Sequence, residues 1–292
     1  MPTATLPHGI TLAYDTFGDP ADRALVLIAG LSQIKQSWQR EFIDKLVDIG
    51  LHVITYDQRD GGGSTRLDQA PMPDEEAVSR GDRSSISYDL SDLAADLAAL
   101  LDHLGIESAH LFGASLGGMV GQVFAVRYPE RTRSLISLMS TPALEISRPD
   151  PHARAVLLTA PGPSRDELIA HILRVCEALA GQDGHPIDRE AITDYAETVF
   201  EVGPYPVGTA RRHAAIVASG DRRDEVATIT APTLVLHGDK DPLLGLECGE
   251  ATAELIDGAK LVVLEGAGHY LARQTWPTIM AEVAELVRRA GA

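Results

Sequence analysis

The sequence predicts an α/β fold: a mostly parallel central sheet with flanking helices and a helical cap. Three observations lead there. Short apolar runs recur at intervals that suit alternating strands and helices. One Gly-x-Ser-x-Gly pattern, Gly113-Ala114-Ser115-Leu116-Gly117, falls between a strand-like and a helix-like stretch. The alternation breaks once, between about 143 and 225, and then resumes.

In chain order, the first expected strand is Thr11-Leu12-Ala13-Tyr14, followed by the turn Gly18-Asp19-Pro20. Residues 25–28, 53–56, 110–112, 135–138, 233–236 and 261–264 supply the others; most are rich in Val, Ile and Leu, as strands covered on both faces must be. The clearest helix covers 88–104. Leu90, Leu93, Ala94, Leu97, Leu100, Leu101 and Leu104 form its apolar stripe, Asp89, Asp92, Asp96 and Asp102 fall mostly off it, and Gly105 ends it. The region that breaks the alternation reads as helices near 165–180, 188–201 and 207–219, parted by turns such as Pro161-Gly162-Pro163 and Gly184-His185-Pro186. The expected organisation is a core of 1–142 and 226–292, with a helical cap of 143–225 inserted after the sixth parallel strand. Such a cap would cover the C-terminal edge of the sheet, where open α/β sheets bind ligands. The segment around Pro71-Met72-Pro73-Asp74-Glu75-Glu76 reads as a long surface loop.

A serine on a sharp strand-to-helix turn is pushed out at the top of the sheet, and the first N–H groups of the helix face any oxyanion formed beside it. The plainer alternative for Ser115 is a helix N-cap. A hydroxyl needs a base to become a nucleophile, and the base needs an orienting acid. Both follow at later strand ends: His237-Gly238-Asp239-Lys240-Asp241-Pro242, then Glu265-Gly266-Ala267-Gly268-His269. The expected set is Ser115 as nucleophile, His269 as base and Asp241 as acid. Asp239 and Glu145 are competing acids, and His237 reads as a structural residue of its turn. The oxyanion donors are expected to be the N–H groups of Leu116 and of Leu31, the latter in the loop Ala29-Gly30-Leu31-Ser32-Gln33. Trp38, beyond that loop, and Tyr205 and His213, in the cap, are candidate substrate contacts, each weighed against packing or surface roles.

The bulk numbers bound the partners. In 292 residues, 25 Lys and Arg face 42 Asp and Glu, a formal charge of −17. Such a surface argues against nucleic acid and anionic membranes, and leaves a homo-oligomer open. The two cysteines, Cys176 and Cys248, suggest buried thiols rather than a disulfide framework. No metal-ligand spacing occurs, so neither metal nor cofactor is expected. The N-terminal residues lack a basic region followed by an apolar run, and the cytoplasm is the expected location.

The run Asp57-Gln58-Arg59-Asp60-Gly61-Gly62-Gly63-Ser64, taken with the elbow, resembles the α/β-hydrolase superfamily over almost the whole chain. Within it the sequence is most similar to capped serine esterases near aclacinomycin methylesterase. Leu116 and Gly118 in the elbow carry that likeness, as does the run Ala214-Ala215-Ile216-Val217-Ala218-Ser219-Gly220-Asp221-Arg222. The resemblance implies a serine carboxylesterase that hydrolyses small to medium esters through an acyl-enzyme. A lactonase or cofactor-free perhydrolase would use the same triad, and a small-molecule receptor with little turnover is the reading from another class. Dehalogenases and epoxide hydrolases carry an aspartate at the elbow, and Ser115 argues against both. The resemblance also makes Asp57 and Arg59 structural, with Arg59 bracing the loops beneath the site. Two departures stand out: Ala29-Gly30 replaces the usual His-Gly, and Tyr270-Leu271-Ala272 follows the base.

Overall fold

The computed structural model describes residues 1–291. Its strands are β1 (Thr3–Thr5), β2 (Thr11–Phe17), β3 (Arg23–Ile28), β4 (Leu51–Tyr56), β5 (Ala109–Ala114), β6 (Thr132–Leu138), β7 (Thr233–Gly238) and β8 (Lys260–Leu264). They form one eight-stranded sheet in the order β1-β2-β4-β3-β5-β6-β7-β8. From β4 to β8 every neighbouring pair is parallel; β1 and β2 add an antiparallel edge. The sheet is therefore mostly parallel, as expected. Strand β1 had no apolar run to announce it: it is three residues, Thr-Ala-Thr, defined by pairing with β2.

The helices are α1 (Arg40–Asp48), α2 (Glu75–Ser79), α3 (Leu90–His103), α4 (Leu116–Arg127), α5 (Pro151–Leu158), α6 (Arg165–Ala180), α7 (Arg189–Val202), α8 (Pro206–Ser219), α9 (Arg223–Val226), α10 (Leu246–Leu255) and α11 (Trp276–Ala290). Alternation along β3 distributes its side chains to two cores. Val26 and Ile28 pack with Leu93 and Leu97 of α3 and Val120 and Phe124 of α4. Leu25 and Leu27 pack on the other face with Phe42 of α1 and Ile279 and Val283 of α11. Helix α4 is buried from Leu116 to Ala125, which explains why it is apolar all round rather than striped. Helix α3 starts at an Asp89–Asp92 capping box and stops before Gly105, whose φ of 69° suits the left-handed turn after a helix.

Two expectations need correction. Asp96, one of four aspartates expected to fall mostly off the apolar stripe of α3, is 1% exposed. It is buried because Arg59 takes both its oxygens, at 2.6 and 2.7 Å, and His8 Nε2 adds a bond at 2.7 Å. The fork–fork pair ties the loop of Arg59 to helix α3 rather than to a neighbouring loop. Second, the helical insertion follows β6, which is the sixth strand of the chain but the fourth of the parallel set, because β1 and β2 run antiparallel. The insertion also contains α5, and the loop expected near residue 71 carries the single-turn helix α2. At its far end Arg222, buried, ties the insertion to the core by donating to Gln122 Oε1 at 2.8 Å and Thr141 O at 2.7 Å. That role gives the Asp221-Arg222 motif a physical reason.

Both cysteines are thiols, and burial pushes Cys176 up to about 12 and Cys248 up to about 11. No helix among the described residues is long and apolar enough to cross a membrane.

Removing one member of the Arg59–Asp96 pair strands the other without its counter-charge. Asp96→Ala is expected to lower the free energy of unfolding by about 3–5 kcal/mol. Urea unfolding followed by circular dichroism checks it: the midpoint should fall while the slope holds.

Candidate active site

Ser115 sits at the junction of β5 and α4 with φ 54° and ψ −118°, a conformation that costs a side-chain-bearing residue. Hydrogen bonds hold it there. Its N–H donates to Leu138 O at 2.8 Å, and its carbonyl accepts from Gly118 N–H at 2.9 Å and Ser140 Oγ at 2.9 Å. Absent side chains make room for it. A Cβ on Gly113 would run into the Gly117 carbonyl, one on Gly117 into the Ile28 carbonyl, and one on Gly118 into Ser140. The glycines of the motif are thus required by backbone-to-backbone approach.

His269 lies beyond β8, past Gly266 at φ 68°. Its Nε2 is 2.9 Å from Ser115 Oγ and its Nδ1 is 2.7 Å from Asp241 Oδ2. Asp241, just past β7, spends its other oxygen on the N–H groups of Leu243 and Leu244, both at 2.8 Å. Burial alone would raise the Asp241 carboxyl. The charges of His269 and of His237, 3.6 Å away, and their hydrogen-bonding outweigh it, holding the carboxyl well below the usual carboxylate range. His237 lies within its own turn, with Nε2 2.6 Å from Leu244 O. The competing acids are engaged elsewhere: Asp239 accepts Gly266 N–H at 2.6 Å, and the exposed Glu145 faces Arg223 at 3.4 Å.

The insertion grips His269 directly. His269 N–H donates to Leu179 O at the end of α6, at 2.6 Å, and His185 N–H donates to Gly266 O at 2.7 Å. A Cβ on Gly268 would collide with the Ala180 backbone, and one on Gly181 with the Lys240 carbonyl.

Two glutamines support the loop that carries Leu31. Gln33 Oε1 accepts Gly30 N–H at 2.9 Å, and Gln58 Nε2 donates to Ala29 O at 2.8 Å. Neither the Leu31 nor the Leu116 N–H donates to a protein acceptor among the described residues. Both residues remain candidates to receive an oxyanion beside Ser115.

These elements surround a cavity of about 500 Å³ whose walls include Leu31, Ser115 and His269. Trp38, Tyr205 and His213 all line it. Trp38 is also core packing, stacked on Phe42 at 5.9 Å. Tyr205 donates to Asp68 Oδ1 at 2.8 Å, and His213 Nδ1 lies 3.3 Å from Glu75 Oε1. Leu168, Tyr195, Val199 and Arg212 line it too, and sequence reasoning did not find them. A signal existed for Arg212: it interrupts the buried face of α8 between Gly208 and Ala215.

The α/β-hydrolase-fold family model matches residues 23–272, and the chain belongs to that family. It is 30% identical over 299 residues to rhodomycin D methylesterase DnrP of Streptomyces peucetius, covering 93% of each chain. It is 31% identical over 296 residues to rhodomycin D methylesterase DauP of Streptomyces sp. strain C5, again with 93% of each covered. A solved hydrolase from Pseudomonas aeruginosa PA01 superposes with a TM-score of 0.72 at 26% identity, covering 98% of this chain and 97% of that one. The chain is an α/β-fold hydrolase with methylesterases among its relatives.

Because the Asp241 carboxyl is depressed in the folded protein, folding favours its ionised form. The stabilisation is fully present above the unfolded value of about 3.9 and is lost as pH falls from there through the folded value. The stability gap between wild type and Asp241→Asn is therefore expected to shrink as pH falls below about 4. Urea unfolding of both proteins across that range measures it.

Proposed function

We propose that the protein is a serine carboxylesterase acting on small to medium esters through an acyl-enzyme, with no cofactor. The observation that carries this reading is the continuous line Asp241 Oδ2, His269 Nδ1, His269 Nε2, Ser115 Oγ, at 2.7 and 2.9 Å, on the wall of a cavity. The methylesterase activity of the relatives DnrP and DauP supports the ester bond as the target.

In this mechanism His269 Nε2 takes the Ser115 proton as Oγ attacks the ester carbonyl. The carbonyl oxygen becomes an oxyanion and receives the N–H groups of Leu31 and Leu116. His269 then gives the proton to the departing alkoxide, so the alcohol leaves neutral and the acyl group stays on Ser115. Asp241 holds the imidazole with Nδ1 protonated and offsets its charge while it carries both protons. Water enters, gives its proton to Nε2, and releases the acid by the same steps in reverse order. The insertion acts as a cap that shapes the pocket, through apolar residues such as Leu168 and Val199.

Ser115→Ala is expected to cost at least ~10³-fold in kcat on a chromogenic short-chain ester, since only binding and oxyanion terms remain. The check is steady-state kinetics beside circular dichroism, and turnover near wild type in the folded variant would refute the assignment. Substitution of Leu168 or Val199 by alanine is expected to shift preference along a graded acyl series by ~1–3 kcal/mol in kcat/KM, the range for a reshaped apolar pocket. A common factor across all chain lengths would remove the cap from the specificity argument.

A further inference from the structure

The proposed triad chemistry leaves one buried cation in the cavity wall unused. Arg212, on α8, is 3% exposed and lines the same cavity as Ser115. Among the described residues its one protein hydrogen bond is a long one, from Nη1 to Gln33 O at 3.4 Å, and its Nε is buried with no partner. Its neighbour Arg211 is fully engaged, with bonds to Ala70 O at 2.6 Å, Pro71 O at 3.1 Å and Asp60 at 3.3 Å. The nearby carboxylates are also committed. Asp57 accepts the N–H groups of Lys35 at 2.7 Å and Gly63 at 2.9 Å, and Asp60 accepts Leu67 N–H at 2.7 Å. They act on Arg212 only through space, while burial penalises its charge. A guanidinium kept in a low-dielectric wall with vacant donors is costly unless a ligand fills them.

A second donor stands beside it. Tyr195 of α7 lines the cavity, and its hydroxyl oxygen accepts Ile34 N–H at 3.3 Å, which leaves its own proton to give. Gln33 and Ile34 lie two and three residues beyond Leu31, so this donor wall adjoins the proposed oxyanion loop.

We propose that Arg212, assisted by the Tyr195 hydroxyl, is a carboxylate-binding subsite, and that the preferred substrates are esters bearing a second, free carboxylate, such as monoesters of dicarboxylic acids. The substrate class rests on the esterase reading. A planar fork of N–H groups matches a carboxylate at two points. The charges of Asp57 and Asp60 balance those of Arg211 and Arg212, so directed bonds rather than surplus charge hold the ligand. Lysine therefore does not replace Arg212.

The test compares kcat/KM for monomethyl and dimethyl esters of the linear dicarboxylic acids from succinate to sebacate. Wild type is expected to favour the monoester at its best chain length by at least about tenfold, the fold-change of a charge-assisted hydrogen bond. Arg212→Gln and Arg212→Lys are expected to bring that ratio toward one, and Tyr195→Phe to lower it in part. A wild-type ratio of one or less at every length overturns the proposal, as does a preference retained in folded Arg212→Gln. If the arginine variants do not fold, the wild-type ratio and the Tyr195→Phe ratio decide. If no ester of either kind is turned over, the esterase reading fails on its own. Calorimetry with the free dicarboxylates then reads the subsite: binding by wild type that Arg212→Gln loses supports it, and no binding by wild type overturns it.

Discussion

The contact on which the site depends is one between backbones. Where β5 turns into α4, the chain passes the end of β3 so closely that Gly117 has no room for a methyl group against the Ile28 carbonyl, nor Gly113 against Gly117 itself. That approach forces the turn, and the turn holds Ser115 at φ 54°. The strain is carried by the sheet beneath: five consecutive buried residues of β3 and an entirely buried β4 leave the strand ends no freedom to relax. The same closeness brings the loop of Leu31 beside the start of α4, so serine and candidate oxyanion donors are set by one packing event.

A second set of tight contacts ties the insertion to the sheet. The end of α6 meets the loops of Lys240 and Gly268 with no side chains between, and α7 and α8 reach the loop at 33–34 through Tyr195 and Arg212. The loop that leads into Asp241, His269 itself and the loop beyond Leu31 are each touched by the insertion. The insertion and the strand-end loops that carry Ser115, Asp241 and His269 are therefore mechanically one structure, although the sequence separates them.

The fold was legible in the sequence where burial leaves a composition. Strands covered on both faces must be Val, Ile and Leu, so β3 to β7 were readable; β8 carries the same composition but is a half-exposed edge strand, not one covered on both faces as expected, and β1 owes its existence to pairing with β2, which no run of three residues can show. The order of Ser115, Asp241 and His269 was readable because each stands at a strand end marked by glycine turns. What stayed hidden was long-range. Asp96 looks like a solvated helix residue until Arg59, 37 positions away, is brought beneath it. Gln33 and Gln58 support the loop of Ala29 and Gly30, and nothing local marks a glutamine for that task. Arg212 reads as one charge among several until its face of α8 is known.

The bond from His269 N–H to Leu179 O has a further consequence for motion. A lid that swung away at the end of α6 would draw the imidazole off Ser115 each time it opened. Admission of substrate on that side and readiness for chemistry would then exclude one another in time, and turnover could not outrun the closing of the lid. Traffic that avoids this penalty would pass where the cavity wall is not bonded to His269, as between α2 and α8, where His213 meets Glu75 at 3.3 Å and the exposed Met72 borders the cavity. The molecule would then have a fixed jaw, which keeps the base aligned, and a yielding one, which sets the rate of entry and release.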